Sequence, residues 1–217
     1  MAIRNRSVTM DSESKTAMDW DQHYQDKHTP WDKGSPAPPL LEWIAANPDT
    51  LSGRILVPGC GGGHDVRALA ATGIEDVLGF DISPAAITEA KSHEAAGSET
   101  YKAGDLFDLS EGMLDSFDWI WEHTCYCAID PSMRDEYVKS AWETLRQNAQ
   151  FLGVFYLNPY DDEHQPSGGP PHGTTEDEIR QRFEGSRKFK IIESYQPQQS
   201  YSGREGLEVV LRMRRLG

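Results

Sequence analysis

Four glycines, at positions 59, 61, 62 and 63, follow a short apolar run, residues 54–58, and precede the helix-compatible stretch 66–71. This order is typical of a strand, a tight turn and the N-terminus of a helix. Glycine suits the turn because it bends sharply and lets backbone N–H groups approach a ligand. A second apolar run ends at Asp81, about 20 residues further on, where nucleoside-binding α/β folds place a carboxylate for the ribose hydroxyls. A glycine-rich surface turn is the alternative, but the combination predicts a nucleoside cofactor.

The spacing of the glycines distinguishes two nucleoside cofactors. A dinucleotide fingerprint reads Gly-x-Gly-x-x-Gly, and its third glycine serves the packing of the helix. Here Gly59, Gly61 and Gly63 alternate, and His64 occupies the place of that third glycine. The alternation therefore favours S-adenosylmethionine over a dinucleotide.

Further residues carry groups that suit S-adenosylmethionine. Asp105, at the end of a third predicted strand, is placed to accept a hydrogen bond from the adenine amino group, and the Leu106 N–H to donate to a ring nitrogen. Aromatic faces attract a sulfonium cation by about 0.5–2 kcal/mol. Trp20, Tyr24 and Trp31 can supply such faces, with an ordinary aromatic core as the alternative.

Methyl transfer to a thiolate turns an anion and a cation into two neutral products. A dry pocket that positions both reactants should therefore supply most of the rate. A neutral thiol would also need a group that takes its proton. His123 and Tyr156 are the candidate catalytic residues for this role, and His is the better matched near neutral pH. A structural hydrogen-bonding His and a sheet-packing Tyr are equally open interpretations.

The elements that must position these residues follow from an alternation of apolar runs with helical patterns. Such alternation is the βαβ signature of a parallel sheet with helices on both faces. We predict an α/β fold with a seven-stranded, mostly parallel sheet whose last strand is antiparallel. The predicted strands cover residues 54–58, 76–80, 99–103, 117–121, 151–157, 188–195 and 206–213. Helices are predicted after an N-cap at Ser83, over residues 132–146 and from a capping box at Thr175. The patternless loop 158–173 is expected to close the substrate pocket.

Length, charge and cysteine content limit the class of protein. A chain of 217 residues can bury one sizeable core, so we predict a single domain over residues 18–217 after a disordered tail, residues 1–17. The net charge of −14 argues against nucleic acid or an anionic membrane as partner. The sequence has neither a membrane-spanning apolar run nor an apolar signal core, which predicts a cytoplasmic protein. Cys60, Cys125 and Cys127 lack zinc-site spacing, so we predict packed thiols and no bound metal.

Six motifs, in order along the chain, resemble those of the thiopurine S-methyltransferase superfamily, and the resemblance covers about residues 19–215. They are residues 20–34, Val-Pro-Gly-Cys-Gly from 57, Gly-x-Asp-Ile-Ser-Pro from 79, Gly-Asp-x-Phe from 104, Cys-Ala-Ile-x-Pro-x-x-Arg from 127 and Gly-Gly-Pro-Pro from 168. Within the superfamily the chain is more similar to plant and bacterial thiol and halide methyltransferases than to thiopurine enzymes. The resemblance implies a Rossmann-like class I methyltransferase whose N-terminal segment folds over S-adenosylmethionine.

Matched position by position, the same resemblance implies a set of cofactor-binding residues. These are Trp20, Tyr24, Trp31, Gly59, Gly61, Asp81, Ile82, Asp105, Leu106 and His123. Tyr24 stands where the family usually has Trp, and His123 stands where its branches carry Tyr or Arg. Because both positions face the methyl-transfer region, these departures bear on the identity of the acceptor.

The sequence thus predicts an S-adenosylmethionine-dependent methyltransferase that acts on hydrosulfide or a small thiol such as methanethiol, without an obligate protein partner. A halide ion or a thiopurine is the alternative acceptor within this class. An NAD-type oxidoreductase and a cofactor-binding protein without catalysis are the alternatives outside it.

Overall fold

A seven-stranded sheet forms the centre of the protein, of which the computed structural model describes residues 18–158 and 170–217. The predicted tail, residues 1–17, and residues 159–169 of the predicted loop lie outside these ranges. The strands are β1 (Arg54–Pro58), β2 (Asp76–Asp81), β3 (Glu99–Ala103), β4 (Phe117–His123), β5 (Leu145–Tyr156), β6 (Phe189–Tyr195) and β7 (Glu208–Arg215). Their order across the sheet is β3-β2-β1-β4-β5-β7-β6, and only the two pairs that β7 makes are antiparallel. The predicted sheet is therefore confirmed.

Helices pack on both faces of the sheet. They are α1 (Trp20–Gln25), α2 (Pro38–Ala46), α3 (His64–Ala70), α4 (Pro84–Ser92), α5 (Cys125–Ala128), α6 (Arg134–Thr144) and α7 (Glu176–Phe183). Side chains alternate along a strand, so Ile120 of β4 packs with α6 and α7, whereas Trp119 and Trp121 pack with α2 and α3. By the same alternation His123 lies on the α2–α3 face and Glu122 on the α6–α7 face.

Two helices begin directly after their predicted N-caps, and the helices in the described ranges are short. The Ser83 hydroxyl accepts a hydrogen bond from the Ala86 N–H over 3.0 Å at the start of α4. The Thr175 hydroxyl does the same for the Glu178 N–H over 3.1 Å at the start of α7. The longest helix in the described ranges has 11 residues. None of the helices there combines the length and the apolarity needed to cross a bilayer.

The start of β5 differs from the prediction. This strand begins at Leu145 instead of position 151, and the helix predicted over 132–146 ends at Thr144. The polar run 146–150 looks like the end of a helix in the sequence. In the fold, Leu145 is buried opposite Phe117, and Arg146 forms a 2.8 Å ion pair with Asp118. Contacts with β4 therefore extend the strand, while every other strand boundary lies within two residues of its prediction.

Candidate active site

The glycine-rich turn between β1 and α3 lies against the carboxylate at the end of β2. Gly59, Gly61 and Gly63 have φ of +59°, +51° and +76°, a region that residues with a Cβ rarely adopt. One oxygen of Asp81, Oδ2, accepts a hydrogen bond from the Gly61 N–H, and Oδ1 accepts from the Ser83 N–H, both over 2.9 Å. Burial raises the pKa of Asp81, and these two N–H groups oppose the rise. Each carboxylate oxygen keeps a lone pair with which it can accept a further hydrogen bond, as two ribose hydroxyls require.

The three aromatic residues predicted to face the cofactor come together beside this turn. The Trp31 ring makes edge contacts with Trp20 and Tyr24, at centroid distances of 5.2 and 5.9 Å. The Trp31 Nε1–H donates to the Tyr24 hydroxyl over 3.2 Å. A Cβ placed on Gly61 would lie only 2.6 Å from that hydroxyl oxygen. The N-terminal segment is thus packed directly on the glycine turn.

A residue that the sequence analysis missed, Asp21, attaches this segment to α4. Its Oδ1 accepts hydrogen bonds from the Ala85 N–H over 2.8 Å and from the Ser83 hydroxyl over 2.7 Å. These two donors hold the pKa of Asp21 below its usual range. Asp21 therefore occupies the N-terminal end of a helix more than 60 positions away in sequence. No local pattern could have revealed this contact, because its partners belong to a distant element.

The side expected to hold adenine combines carboxylate and apolar groups. Asp105 follows β3 and is exposed, and its Oδ1 accepts a hydrogen bond from the Phe107 N–H over 2.8 Å. Leu106 is half-buried between them. Ile82 and Phe107 expose 53% and 37% of their surfaces. The residues that follow β2 and β3 therefore offer apolar surface for a flat ring and free acceptor positions on a carboxylate.

His123, at the end of β4, lies next to the start of α3. Its Nδ1 is 3.5 Å from Oδ2 of Asp65. That carboxylate also accepts hydrogen bonds from the Trp121 indole N–H and the Ala37 N–H, each over 2.7 Å. Burial alone would raise the pKa of Asp65, but the nearby imidazole and the two N–H groups keep this pKa below its usual value. Asp65 thus connects the glycine turn, α2 and His123.

The other side of His123 faces an ion pair. Its Nε2 is 3.5 Å from Nη1 of Arg204 and 4.0 Å from Oε1 of Glu208, and these two groups are 3.4 Å apart. Glu208 begins β7 and lies opposite Tyr156 of β5 in the sheet register. The Arg204 guanidinium stacks 4.6 Å above the Tyr156 ring, and the Tyr201 ring centroid is 5.7 Å from that of His123. The two predicted catalytic residues therefore share one cluster. This cluster lies at the carboxyl ends of the parallel strands, as the cofactor residues do.

The three cysteines lie around the carboxyl ends of these strands, where Cys127 is buried and Cys60 and Cys125 are half-buried. All are free, and the Sγ of Cys127 donates to the Thr124 carbonyl over 3.3 Å. Burial raises the pKa of Cys60 and Cys125 well above the usual value and that of Cys127 to about 12. The thiols are therefore protonated near neutral pH and lack the thiolate character of a nucleophile. A Cβ on Gly59 would lie 2.9 Å from Cys125, so α5 packs tightly against the turn.

The cluster around His123 contains three charged residues that sequence reasoning did not select. Asp65 was visible inside the glycine motif, but its contact with His123 spans two elements. Arg204 lies between the last two predicted strands and Glu208 lies within the last of them, and only the pairing of β7 with β5 brings them to the ends of β4 and β5. A carboxylate in the first turn after a glycine motif is the one local signal that could have drawn attention to Asp65.

Comparison with known proteins gives two kinds of match. Residues 15–211 match the family model described as Thiopurine S-methyltransferase (TPMT). Among curated proteins, thiocyanate methyltransferase 1 of Brassica oleracea is 37% identical over 159 residues, which cover 70% of this chain and 66% of the relative. The matched part therefore spans slightly under two thirds of that relative's length.

Two solved structures share the fold. One comes from a study of the conversion of a disulfide bond into a thioacetal group during echinomycin biosynthesis, with a TM-score of 0.73 at 21% identity over 90% of each chain. The other is 1,6-didemethyltoxoflavin-N1-methyltransferase of Burkholderia thailandensis with bound 1,6-didemethyltoxoflavin and S-adenosylhomocysteine. It has a TM-score of 0.67 at 17% identity and covers 90% of this chain and 85% of its own. At such identities the similarity concerns the fold alone.

Proposed function

The chain belongs to the thiopurine S-methyltransferase family, and we propose that it is an S-adenosylmethionine-dependent methyltransferase for a small, soft nucleophile, hydrosulfide or a small thiol such as methanethiol. The observation that supports this most is that two clusters of residues lie together at the carboxyl ends of the parallel strands. The glycine turn with Asp81 and the aromatic residues forms the first cluster, and His123 with its charged neighbours forms the second. Asp65 joins them, because it lies in the first turn of α3 and contacts His123.

The residues of the first cluster fit S-adenosylmethionine. The positive φ of Gly59 and Gly61 lets the turn bend sharply beside Asp81, and the Asp81 carboxylate has the acceptor capacity for two ribose hydroxyls. Asp105, Leu106 and Ile82 would border the adenine ring. When bound, S-adenosylmethionine supplies a methyl group carried on a sulfonium cation.

The aromatic residues would place that cation. Trp20, Tyr24 and Trp31 form a connected set of rings beside the glycine turn, and ring faces attract cations by about 0.5–2 kcal/mol depending on desolvation. The Asp21 contacts with α4 hold the helix that carries Trp20 and Tyr24. These residues therefore orient the methyl group before the acceptor arrives.

The second cluster suits a small acceptor. The side chains of His123 and Arg204 are only 10% and 11% exposed, so an acceptor in contact with them would be largely shielded from water. Arg204 provides a cation toward which an anionic acceptor would be drawn. His123 and Tyr156 would border the acceptor, and His123 is the one of the two able to take a proton from a neutral thiol near neutral pH. Exclusion of water would favour the step, since opposite charges disappear as the methyl group moves.

A panel of methyl acceptors tests the proposal. The protein should be incubated with S-adenosylmethionine and, separately, hydrosulfide, methanethiol, iodide, thiocyanate and a thiopurine, with headspace and liquid chromatography detecting the methylated products. We expect hydrosulfide and methanethiol to be the best acceptors and the thiopurine to be poor. Absence of any methylated thiol would remove this proposal, and preferential turnover of iodide would support the halide alternative.

Cofactor binding tests the two alternatives outside the methyltransferase class, an NAD-type oxidoreductase and a cofactor-binding protein without catalysis. Calorimetric titration with S-adenosylmethionine and with NAD should show binding of the former alone. Binding of NAD without S-adenosylmethionine would support an oxidoreductase, and S-adenosylmethionine binding without release of S-adenosylhomocysteine in the presence of any acceptor would support a non-catalytic protein. A cytoplasmic location and a single domain over residues 18–217 stay predictions, which cell fractionation and limited proteolysis can check.

A further inference from the structure

Glu208 is a buried carboxylate with an unusual environment. Its side chain is fully buried, and Oε1 lies 3.4 Å from Nη1 of Arg204 and 4.0 Å from Nε2 of His123. Its other oxygen, Oε2, has no hydrogen-bond donor among the described residues. A buried carboxylate oxygen without a donor is costly, so a positive charge nearby stabilises this carboxylate.

His123 could not easily take a proton from a thiol if Arg204 were its only charged neighbour on that side. The guanidinium is 3.5 Å from Nε2, and a cation at that distance disfavours a second positive charge on the ring. Glu208 offsets this effect, because its charge pairs with the same guanidinium and also lies near Nε2. Asp65 acts in the same direction from Nδ1.

The geometry points to Glu208 as a positioning residue that lets His123 accept the proton of a neutral thiol and so makes the acceptor site prefer thiols over permanently anionic acceptors. This inference rests on the proposed function. In the methyl-transfer step, the S–H proton of the thiol moves to Nε2 of His123, and a lone pair of the thiol sulfur forms the new bond to the methyl carbon. The electrons of the bond that breaks, between the methyl carbon and the cofactor sulfur, return to the cofactor sulfur. The resulting imidazolium lies between two carboxylates, Asp65 and Glu208.

The charged and titratable neighbours of His123 within residues 18–158 and 170–217 enter this balance. The groups that face or adjoin it are Asp65 of α3, Glu122 of β4, Tyr156 of β5, Tyr201 and Arg204 of the β6–β7 connection and Glu208 of β7. Desolvation raises the pKa of Tyr201, so this residue stays neutral near pH 7. With His123 protonated, Asp65 and Glu208 carry two negative charges against the two positive charges of His123 and Arg204.

The substitution Glu208→Gln separates this role from a purely structural one. Methanethiol and iodide should be compared as acceptors from pH 6 to about 9, because iodide carries no proton at any of these values. We expect kcat/KM for methanethiol to fall roughly 10–100-fold and its acidic limb to move to lower pH, since protonation of His123 becomes harder. Iodide turnover should stay within about twofold, or its KM should fall, because Arg204 loses its counterion. Glu205→Gln, an exposed carboxylate three positions earlier, is the matched control and should change neither acceptor.

A double variant keeps the test decisive if Glu208→Gln folds poorly. Arg204→Gln with Glu208→Gln leaves no unpaired buried charge, and it should retain more methanethiol activity than Glu208→Gln while the KM for iodide rises. Equal loss for both acceptors in both variants, or no change in either, would overturn the role of Glu208 and leave the proposed function intact. Wild-type turnover of iodide without methanethiol would also overturn it. A wild-type protein that methylates neither acceptor would remove the proposed function itself.

Discussion

The Tyr201 hydroxyl donates a 2.5 Å hydrogen bond to the carbonyl oxygen of Ser35, a residue 166 positions earlier in the chain. The same connection between β6 and β7 is held at Glu42 of α2, whose Oε2 accepts from the N–H groups of Gln198 and Gln199. The segment that covers His123 is therefore fastened to the segment that carries the aromatic rings. The cofactor side and the acceptor side of the site are tied together by these bonds.

Removing the carboxylate at the end of β2 should weaken cofactor binding. Asp81→Ala deletes a charged acceptor for two hydroxyls, which we expect to cost roughly 1.5–3 kcal/mol in affinity for S-adenosylmethionine, measured by calorimetry. Asp76→Ala, at the opposite end of the same strand, is the control and should leave the affinity unchanged. Equal affinities of Asp81→Ala and the wild type would place the cofactor elsewhere.

Removing the imidazole should affect thiols in a pH-dependent way. His123→Ala is expected to lower methanethiol turnover by about 100-fold near pH 7, the usual size of a proton-transfer contribution. Turnover should recover partly at higher pH, where the thiol ionises in solution. The measurement is a pH profile of kcat/KM, and a profile with the wild-type shape and height would leave His123 a structural residue.

The contact between the glycine turn and the N-terminal segment should be sensitive to one methyl group. Gly61→Ala places a Cβ 2.6 Å from the Tyr24 hydroxyl at a φ of +51°, so we expect weaker cofactor binding by about tenfold or more. Tyr24→Phe in the same chain removes the hydroxyl and should restore part of the affinity. A calorimetric double-mutant cycle measures this coupling, and strictly additive effects would show that the two residues do not meet.

The buried Glu122 should make stability depend on pH. Burial raises its pKa to about 7, against an ordinary value of 4.5, although the Tyr126 N–H and the Tyr137 hydroxyl both donate to it. A raised pKa means that the folded state binds the proton more tightly than the unfolded state. The contribution of Glu122 to the free energy of unfolding is therefore complete below pH 4.5 and is lost as pH rises through about 7.

Glu122→Gln tests this dependence, because glutamine cannot ionise. Between pH 4.5 and 8 the wild type should lose roughly 2–4 kcal/mol of unfolding free energy relative to the variant, measured by urea denaturation. Parallel pH curves for the two proteins would contradict a raised pKa. Glu143→Gln, in the last turn of α6, offers a carboxylate control.

The sequence was sufficient for elements with strong local signals. The bounds of β1 and the caps at Ser83 and Thr175 agree with prediction because a short apolar run and capping side chains act within a few positions. The start of β5 depends on pairing with β4 and could not be read from its polar residues. His123 and Tyr156 could be selected because each lies at the end of a predicted strand. Their charged partners approach from distant elements, so no local pattern in the sequence indicated these contacts.

The position of β7 between β5 and β6 has a consequence for biosynthesis. While the ribosome is still producing residues 157–207, the segment that forms β5 has been synthesised, yet the strand that pairs with its outer side has not been made. The nascent chain would then expose an apolar edge, 151–155, of the kind that recruits other strands. Fragments that stop short of residue 208 should aggregate, because they retain this unprotected edge permanently.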